Sequence, residues 1–206
     1  MKKRFITFEG GDGTGKTTII NKLASELESL GYEILKSREP GGSKISEQIR
    51  NVILSVDNTE MDYMTEALLY AASRRQHLVE IIKPAINSGK IVICDRYVDS
   101  SLAYQGYARG LGISEVYEIN NYAIGGFFPD LTIYIDIDPE IGISRIKNNN
   151  RDMDRLDLER IDFHNQVREG YLKVSKMFPE RIKVINGNQT IDEIYNEIRK
   201  IILEEL

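Results

Sequence analysis

Strand-like and helix-like segments alternate along the whole chain, and this pattern constrains the fold more than any other feature of the sequence. Most of the strand-like runs are nearly continuous in apolar residues, as expected of strands covered on both faces. Because strands that alternate with helices form right-handed βαβ units, we predict a three-layer α/β fold with a parallel sheet between helices. The predicted strands are residues 4–8, 33–36, 90–94, 131–137 and 181–185.

Helical periodicity occupies the segments between the predicted strands. It covers residues 45–54, 61–87 and 141–147, and residues 191–201 carry a single apolar stripe of isoleucines. Neither a repeat nor a Pro- or Ser-rich linker interrupts the pattern. We therefore expect residues 1–206 to form one domain with a five-stranded sheet.

A glycine-rich loop joins the first predicted strand to the first predicted helix. It has the spacing Gly10-x-x-x-x-Gly15-Lys16-Thr17 of a phosphate-binding P-loop. Glycines allow the loop amides to turn toward phosphate oxygens, Lys16 adds a positive charge, and the Thr17 hydroxyl can bind Mg²⁺. The strand before it and the helix after it favour a nucleotide site over a simple turn. The predicted ATP-binding residues are Gly10, Gly11, Asp12, Gly13, Thr14, Gly15, Lys16, Thr17 and Thr18.

The composition predicts a soluble protein of the cytoplasm. Of the 206 residues, 41% are hydrophobic and 29% are charged, and no apolar run approaches the length of a membrane span. The formal net charge of −5 argues against broad binding of nucleic acids. Cys94 is the single cysteine, which favours a reducing compartment and a buried strand position.

Charged residues follow the second and third predicted strands, at the edge of the sheet where the P-loop also opens. Asp95 occupies the usual position of a carboxylate that helps to hold magnesium beside a P-loop, although a structural aspartate would look the same. Arg96 suits phosphate recognition or a surface ion pair. In the helical segment 68–75, an aromatic residue and two arginines flank small residues. They are consistent with a base-binding pocket or, slightly favoured by spacing alone, a tightly packed helix.

Four segments occur in the order typical of one family: residues 8–18, residues 38–42, Asp95-Arg96-Tyr97, and residues 100–106. In these segments, over essentially the whole chain, the sequence resembles bacterial thymidylate kinases. The resemblance implies a P-loop nucleoside monophosphate kinase fold and ATP-dependent phosphorylation of dTMP to dTDP. It also implies Mg²⁺ and a homodimer, whose apolar face we expect in residues 81–86 or 113–124.

The resemblance also implies the roles of individual residues. Arg96 and Arg50 grip the dTMP phosphate, Tyr70 stacks on thymine, and Arg74 donates a hydrogen bond to its O4 atom. Ser101 and Gln105 complete recognition of the base edge, while Tyr104 presses on the sugar and disfavours a 2′-hydroxyl. Asp12 contacts the 3′-hydroxyl, Glu39 belongs to the substrate site, and Thr17 and Asp95 hold the metal. The catalytic residues implied are Lys16, Arg96, Arg151 and Arg155.

Two positions depart from parts of the family. One subgroup carries an arginine in the P-loop where this chain has Gly13, so the transition-state cation is expected from a polar lid at about residues 148–157. Arg151 and Arg155 are its candidates. The stacking position is commonly phenylalanine, whereas this chain has Tyr70, whose hydroxyl needs a partner or a water.

Three other functions compete with this prediction. The first is a P-loop kinase with another acceptor, against which the residues of the base pocket argue. The second is a nucleotide-dependent switch, but residues 21–24 lack the aspartate of a guanine-reading Asn-Lys-x-Asp motif. The third is a nucleotide-binding scaffold without activity, which the presence of Lys16, Asp95 and Arg96 disfavours.

Overall fold

A computed structural model describes residues 4–148 and 154–206. These residues contain a five-stranded sheet in the order β2-β3-β1-β4-β5, and every neighbouring pair is parallel. The predicted three-layer fold is confirmed, and each strand begins within one residue of its predicted start. The strands are β1 (Phe5–Glu9), β2 (Ile34–Arg38), β3 (Ile91–Asp95), β4 (Leu131–Asp136) and β5 (Ile182–Asn186).

Helices connect the strands and cover both faces of the sheet. The predicted helix over residues 61–87 is divided by a π-helical turn at Leu78–Ile82, just before Pro84. A second π-helical segment, Leu102–Ala108, follows the loop after β3. The α-helices are α1 (Lys16–Ser29), α2 (Lys44–Leu54), α3 (Tyr63–His77), α4 (Lys83–Asn87), α5 (Val98–Ser101), α6 (Ile113–Ile124), α7 (Pro139–Asn148), α8 (Ile161–Met177) and α9 (Ile191–Glu205).

The core lies on both faces of the central strands. β1 is buried along its full length, whereas the edge strand β2 is only partly buried, which explains its less continuous apolar pattern. On one face, α1 and α9 pack against Ile6 and Phe8, and on the other face the aromatic residues Phe5 and Tyr97 pack edge to face. Cys94 is buried in β3. Within the described ranges, no helix combines the length and the apolar character that crossing a membrane requires.

The strand order determines where the functional loops meet. β1 lies between β3 and β4, with Phe8 paired to Asp95 on one side and to Ile133 on the other. The carboxyl ends of β1, β2 and β3 are therefore adjacent. The P-loop and the two predicted charged loops open at this same edge of the sheet, which is where parallel α/β sheets bind their ligands.

Candidate active site

The backbone of the P-loop surrounds the side chain of Lys16. Gly13 and Gly15 have φ angles of 76° and 88°, a region that favours glycine. The buried Lys16 ammonium donates to the carbonyl oxygens of Gly10 at 3.0 Å and Gly11 at 2.9 Å. Burial, followed by the charge of Arg96, lowers the pKa of Lys16. A cation held at the N-terminus of α1 is well placed to contact phosphate oxygens.

The P-loop is in close contact with α7 through two glycines. A Cβ atom at Gly13 would lie 2.1 Å from the carbonyl oxygen of Gly142, and one at Gly142 would lie 2.4 Å from the carbonyl oxygen of Asp12. Backbone on both sides leaves no room for a side chain. This contact gives a physical reason for glycine at position 13 of this chain.

Thr17 and Asp95 face each other at the ends of α1 and β3. The Thr17 hydroxyl donates to Asp95 Oδ2 at 3.5 Å. The other carboxylate oxygen, Asp95 Oδ1, is buried and has no hydrogen-bond partner among the residues that the structure describes. Because an unpaired buried carboxylate oxygen is costly, a cation at this point would satisfy it. The donors fit Mg²⁺, which takes a carboxylate, a hydroxyl and substrate phosphates.

Arg96 is held in an unusual backbone conformation directly after β3. Its φ angle of 68° is uncommon for a residue with a side chain, and its amide donates to the Phe8 carbonyl oxygen at 2.9 Å. The guanidinium donates to Asp12 Oδ2 at 3.1 Å and to the Tyr171 hydroxyl at 3.1 Å. Strained residues of this kind persist where the surroundings fix them, and they cluster at functional sites.

One cavity of about 650 Å³ joins the P-loop to the loops after β2 and β3. Its volume is in the range of ligand sites. Most of the predicted site residues lie in its wall, so the fold brings together residues that the sequence distributes between Asp12 and Gln105. Those in the wall are Asp12, Gly13, Thr14, Gly15, Lys16, Thr17, Thr18, Glu39, Arg50, Tyr70, Arg74, Asp95, Arg96, Tyr104 and Gln105.

Arg74 is buried at the base of this cavity, and its donors are largely engaged. Nε donates to Glu39 Oε2 at 2.7 Å, Nη1 donates to Ser101 Oγ at 3.1 Å and to Asn120, and Nη2 donates to the Tyr97 carbonyl oxygen at 2.9 Å. Ser101 is buried behind Arg74 and is not among the residues of the cavity wall. This position supports a role for Ser101 in orienting Arg74, which differs from the predicted direct contact between Ser101 and the base.

The aromatic residues and Gln105 form the other wall. Tyr70 and Tyr104 belong to one buried cluster, with exposed fractions of 9% and 5%. Gln105 Nε2 donates to the buried Glu66 carboxylate at 2.8 Å, and the amide oxygen accepts no hydrogen bond from the described part of the chain. An amide held in this way presents an acceptor, which suits the N3–H group of thymine.

Arg50 and Arg38 form a cationic corner beside Pro40. Both donate to the Pro40 carbonyl oxygen, Arg50 at 2.8 Å and Arg38 at 3.0 Å. Glu47 pairs with Arg38 at 3.1 Å and accepts from the Gly42 amide at 2.7 Å. Burial, followed by the charge of Arg38, lowers the pKa of Arg50. Two guanidinium groups held together suit an anionic ligand.

Arg155 does not reach the P-loop, which differs from its predicted catalytic position. Nε donates to the Ile53 carbonyl oxygen at 2.9 Å, and Nη2 pairs with the buried Glu66 carboxylate. Its side chain is 8% exposed and is not part of the cavity wall. The chain turns at Asp154, so the Arg155 side chain points into the interior beneath α3. Arg151, the other candidate, lies outside the described residues.

Several wall residues were not singled out by the sequence reasoning. Arg145 on α7 donates to the Gly13 carbonyl oxygen at 3.3 Å, and Ile191 at the start of α9 approaches Gly15. Neither stands in a recognisable motif, because the contacts depend on how distant helices pack. Arg38 lies in the motif at residues 38–42 and Ser100 in the motif at residues 100–106. Because both motifs follow a strand, sequence position alone is enough to predict these two residues as part of the site. The full wall adds Pro40, Leu54, Tyr97, Asp154 and Leu156.

Fold and site together define a class. A parallel sheet of this order, a P-loop with its lysine, and a shared cavity with cationic and aromatic walls are those of a P-loop nucleoside monophosphate kinase. The family model for thymidylate kinase matches residues 8–198. The chain belongs to the thymidylate kinase family.

Individual relatives agree with this assignment. A thymidylate kinase of Geobacillus sp. (strain WCH70) is 61% identical over 95% of this chain and 93% of its own length. One of Clostridium novyi (strain NT) is 59% identical over 96% of this chain and 97% of its own length. A solved structure of thymidylate kinase from Ehrlichia chaffeensis superposes with a TM-score of 0.79 at 34% identity, covering 98% of this chain and 99% of that one. Family membership makes the chain an ATP-dependent kinase that phosphorylates dTMP.

Proposed function

We propose that the residues of this one cavity carry out the family reaction, the transfer of the γ-phosphoryl group of ATP to dTMP to give dTDP and ADP. The P-loop, residues 10–18, binds the phosphates of ATP. Lys16 neutralises their outer charge from its buried position at the mouth of α1. Phosphoryl transfer needs little covalent chemistry, so holding and neutralising the two phosphates is the main task of the protein.

Thr17 and Asp95 would hold Mg²⁺ beside the P-loop. The unpaired oxygen of Asp95 supports this assignment. When bound, the ion would supply charge neutralisation at the ATP phosphates. Apart from this ion and the two substrates, every group in the proposed mechanism is a residue of the chain.

Arg96 and Arg50 grip the phosphate of dTMP on the opposite side of the cavity. Asp12 pairs with Arg96 and is proposed to contact the 3′-hydroxyl as well. The acceptor oxygen is already anionic, so no general base is required. Cations on both sides are needed because the two bound phosphates repel each other.

The base and the sugar occupy the aromatic end of the cavity. Tyr70 stacks on thymine, Arg74 and Gln105 face its edge, and Tyr104 presses on the deoxyribose. Glu39, at the wall, and Ser101, behind it, hold Arg74 in place. This arrangement supports selection for a pyrimidine with a carbonyl group at position 4 and for a deoxyribose sugar.

Residues 148–157 are proposed as the lid, with Arg151 as the cation that reaches the transferring group. A comparable arginine in other phosphoryl-transfer enzymes contributes about 10³–10⁵ in rate. For Arg155 the internal pairing with Glu66 supports a different role, the attachment of the C-terminal end of this segment to α3.

The observation that carries the proposal is the single cavity that joins Lys16, Arg96 and Tyr70. The experiment measures ADP release with ATP and magnesium for five acceptors: dTMP, dUMP, dCMP, ribosylthymine monophosphate and thymidine. We expect strong activity with dTMP and weaker or no activity with the others. Activity with thymidine but not dTMP would contradict the roles of Arg96 and Arg50. ATP binding without turnover of any acceptor would favour an inactive scaffold.

The homodimer and the cytoplasmic location are further parts of the proposal. In residues 81–86, Ile82 and Ala85 are buried, and Ile81 and Ile86 are only partly buried. In residues 113–124, on α6, Tyr122 is 91% exposed, and a group of exposed apolar side chains lies at α2 and α3, which pack against each other. We define the α2/α3 patch as Ile45, Val52, Val56, Met64 and Leu68, each between 39% and 51% exposed. A second copy of the chain would cover this patch.

A further inference from the structure

Glu9, the last residue of β1, is a buried carboxylate that the reaction described above does not use. It is not in the cavity wall, yet it accepts three hydrogen bonds. The Tyr97 amide donates to Oε1 at 2.8 Å, and the Ser100 and Tyr171 hydroxyls donate to Oε2 at 2.5 Å and 2.9 Å. Glu9 thus connects β1 to the loop after β3 and to α8.

The same two hydroxyls face Arg96. Its Nη1 group donates to the Tyr171 hydroxyl at 3.1 Å and to Ser100 Oγ at 3.4 Å. A hydroxyl has one proton and two lone pairs. When both protons are directed at the Glu9 carboxylate, the lone pairs are free to accept from the guanidinium. Glu9 therefore sets the direction of the two hydroxyls that hold Arg96.

Arg96 is thereby held from two sides. Asp12 of the P-loop accepts from Nη2 at 3.1 Å, and the Ser100–Tyr171 pair accepts from Nη1. The Tyr97 amide bonded to Glu9 follows the residue whose φ angle is 68°. The carboxylate thus also fixes the backbone immediately after Arg96.

We propose that Glu9 is a positioning residue for the acceptor phosphate, which orients the Arg96 guanidinium through the hydroxyls of Ser100 and Tyr171. This inference rests on the proposed role of Arg96 as a ligand of the dTMP phosphate. Glu9 touches neither substrate, so it acts on dTMP only through Arg96. Removing the Glu9 carboxylate should therefore weaken the binding of dTMP and leave the binding of ATP almost unaffected.

The test compares Glu9→Gln, Tyr171→Phe and the double variant with the wild-type chain. Glutamine keeps the shape of Glu9, but its amide group donates where the carboxylate oxygen accepts. We expect KM for dTMP to rise about tenfold in Glu9→Gln and less in Tyr171→Phe, with KM for ATP within about twofold of wild type. Because both act through the same hydroxyl, the double variant should be less than multiplicative.

Tyr195→Phe is the matched control. It removes a tyrosine hydroxyl that donates to a carboxylate, that of Glu26, on α9 and α1 outside the cavity wall. KM for both substrates should remain at the wild-type value. Tyr171→Phe keeps the test decisive if Glu9→Gln does not fold.

Arg96→Lys separates this inference from the proposal on which it rests. If Arg96→Lys raises KM for dTMP but Glu9→Gln and Tyr171→Phe do not, the role of Glu9 is overturned and that of Arg96 stands. If Arg96→Lys leaves KM for dTMP unchanged, the phosphate role of Arg96 fails, and this inference fails with it. Equal rises in KM for dTMP and ATP would mean that Glu9 is a general structural residue.

Discussion

At the residue scale, Tyr70 illustrates how a cavity wall can serve both the core and a ligand. The ring is packed with Tyr104 and other apolar groups in one cluster and is 9% exposed toward the cavity. Burial raises the pKa of its hydroxyl well above the ordinary range, so the group stays protonated at neutral pH. The neutral ring presents an aromatic face to the cavity.

Removing the Tyr70 ring should weaken dTMP binding. Aromatic stacking on a base contributes about 1–3 kcal/mol, so Tyr70→Ala should raise KM for dTMP by roughly 5- to 150-fold. Tyr70→Phe keeps the stacking face and should remain within a few-fold of wild type. Steady-state kinetics with dTMP varied at saturating ATP would measure both. A large loss in Tyr70→Phe would show that the hydroxyl, rather than the ring face, binds the substrate.

Glu9 should give the stability of the protein a pH dependence. Burial, together with the charge of Asp99, raises the pKa of Glu9 to about 7, against the lowering effects of Ser100, Arg96 and the Tyr97 amide. Between pH 4.5 and 7 the folded protein then binds a proton that the unfolded chain has lost. The contribution of Glu9 to stability is therefore present below pH 4.5 and is lost as the pH rises through 7.

The comparison with Glu9→Gln isolates this effect, because glutamine does not titrate. From pH 5 to pH 8, the free energy of unfolding of the wild type should fall by roughly 3 kcal/mol relative to the variant. Urea denaturation at several pH values measures the difference. The other charged groups near Glu9, namely Asp99, Arg96, Lys16 and Arg181, and the titratable Tyr171 are common to both proteins. A difference that does not vary with pH would place the pKa of Glu9 near its ordinary value.

At the element scale, residues 154–159 are attached to the body of the protein by ion pairs with buried partners. Arg155 pairs with Glu66 of α3, and Glu159 pairs with Arg109 at 2.7 Å. Arg109 also approaches Glu66 at 3.5 Å, so one buried carboxylate serves two arginines. Asp154 caps the turn, because the Leu156 and Asp157 amides donate to it. These contacts attach residues 154–159 to α3 and to Arg109.

Arg155→Ala should lower stability more than turnover. Removing one partner of a buried pair leaves the other charge uncompensated, which costs about 3 kcal/mol. Arg160→Ala is the matched control: the arginine is five residues away and 88% exposed, and the variant should change stability little. Denaturation and turnover would be measured on both variants. A loss of about 10³ in kcat without a change in stability would restore the catalytic role predicted for Arg155.

At the scale of the whole molecule, the two outer helices α2 and α3 present apolar surface that the single chain does not bury. Ile45 and Val52 are two turns apart on α2, Val56 follows the end of that helix, and Met64 and Leu68 are four residues apart on α3. The same helices carry Arg50, Tyr70 and Arg74 on their inner sides. A dimer formed through the α2/α3 patch would therefore brace the acceptor end of the cavity.

Introducing a charged side chain into the α2/α3 patch should dissociate the dimer. Leu68→Glu places a carboxylate at a side chain that is 51% exposed on α3, and sedimentation should shift from dimer to monomer. Met177→Glu changes an equally exposed residue at the end of α8 and should leave the dimer intact. A wild-type chain that sediments as a monomer at all concentrations would contradict the proposed homodimer.

The sequence determined the order and type of the elements because their signals are local. The apolar runs, the helical stripe of α9 and the glycines of the P-loop each act within a few residues, and the strands agree with their predicted positions. Residues in a motif at a strand end, such as Asp95 and Arg96, could also be assigned in advance. The parallel topology brings every such end to one edge of the sheet.

Tertiary structure alone decided which side chains face the cavity and which lie behind it. The pairing of Arg155 with Glu66 joins positions 89 residues apart, and that of Glu9 with Tyr171 joins positions 162 apart. The contact between Gly13 and Gly142 likewise depends on the approach of α7 to the P-loop. Such contacts leave no local pattern in the sequence, because they depend on the burial and hydrogen bonding of distant helices.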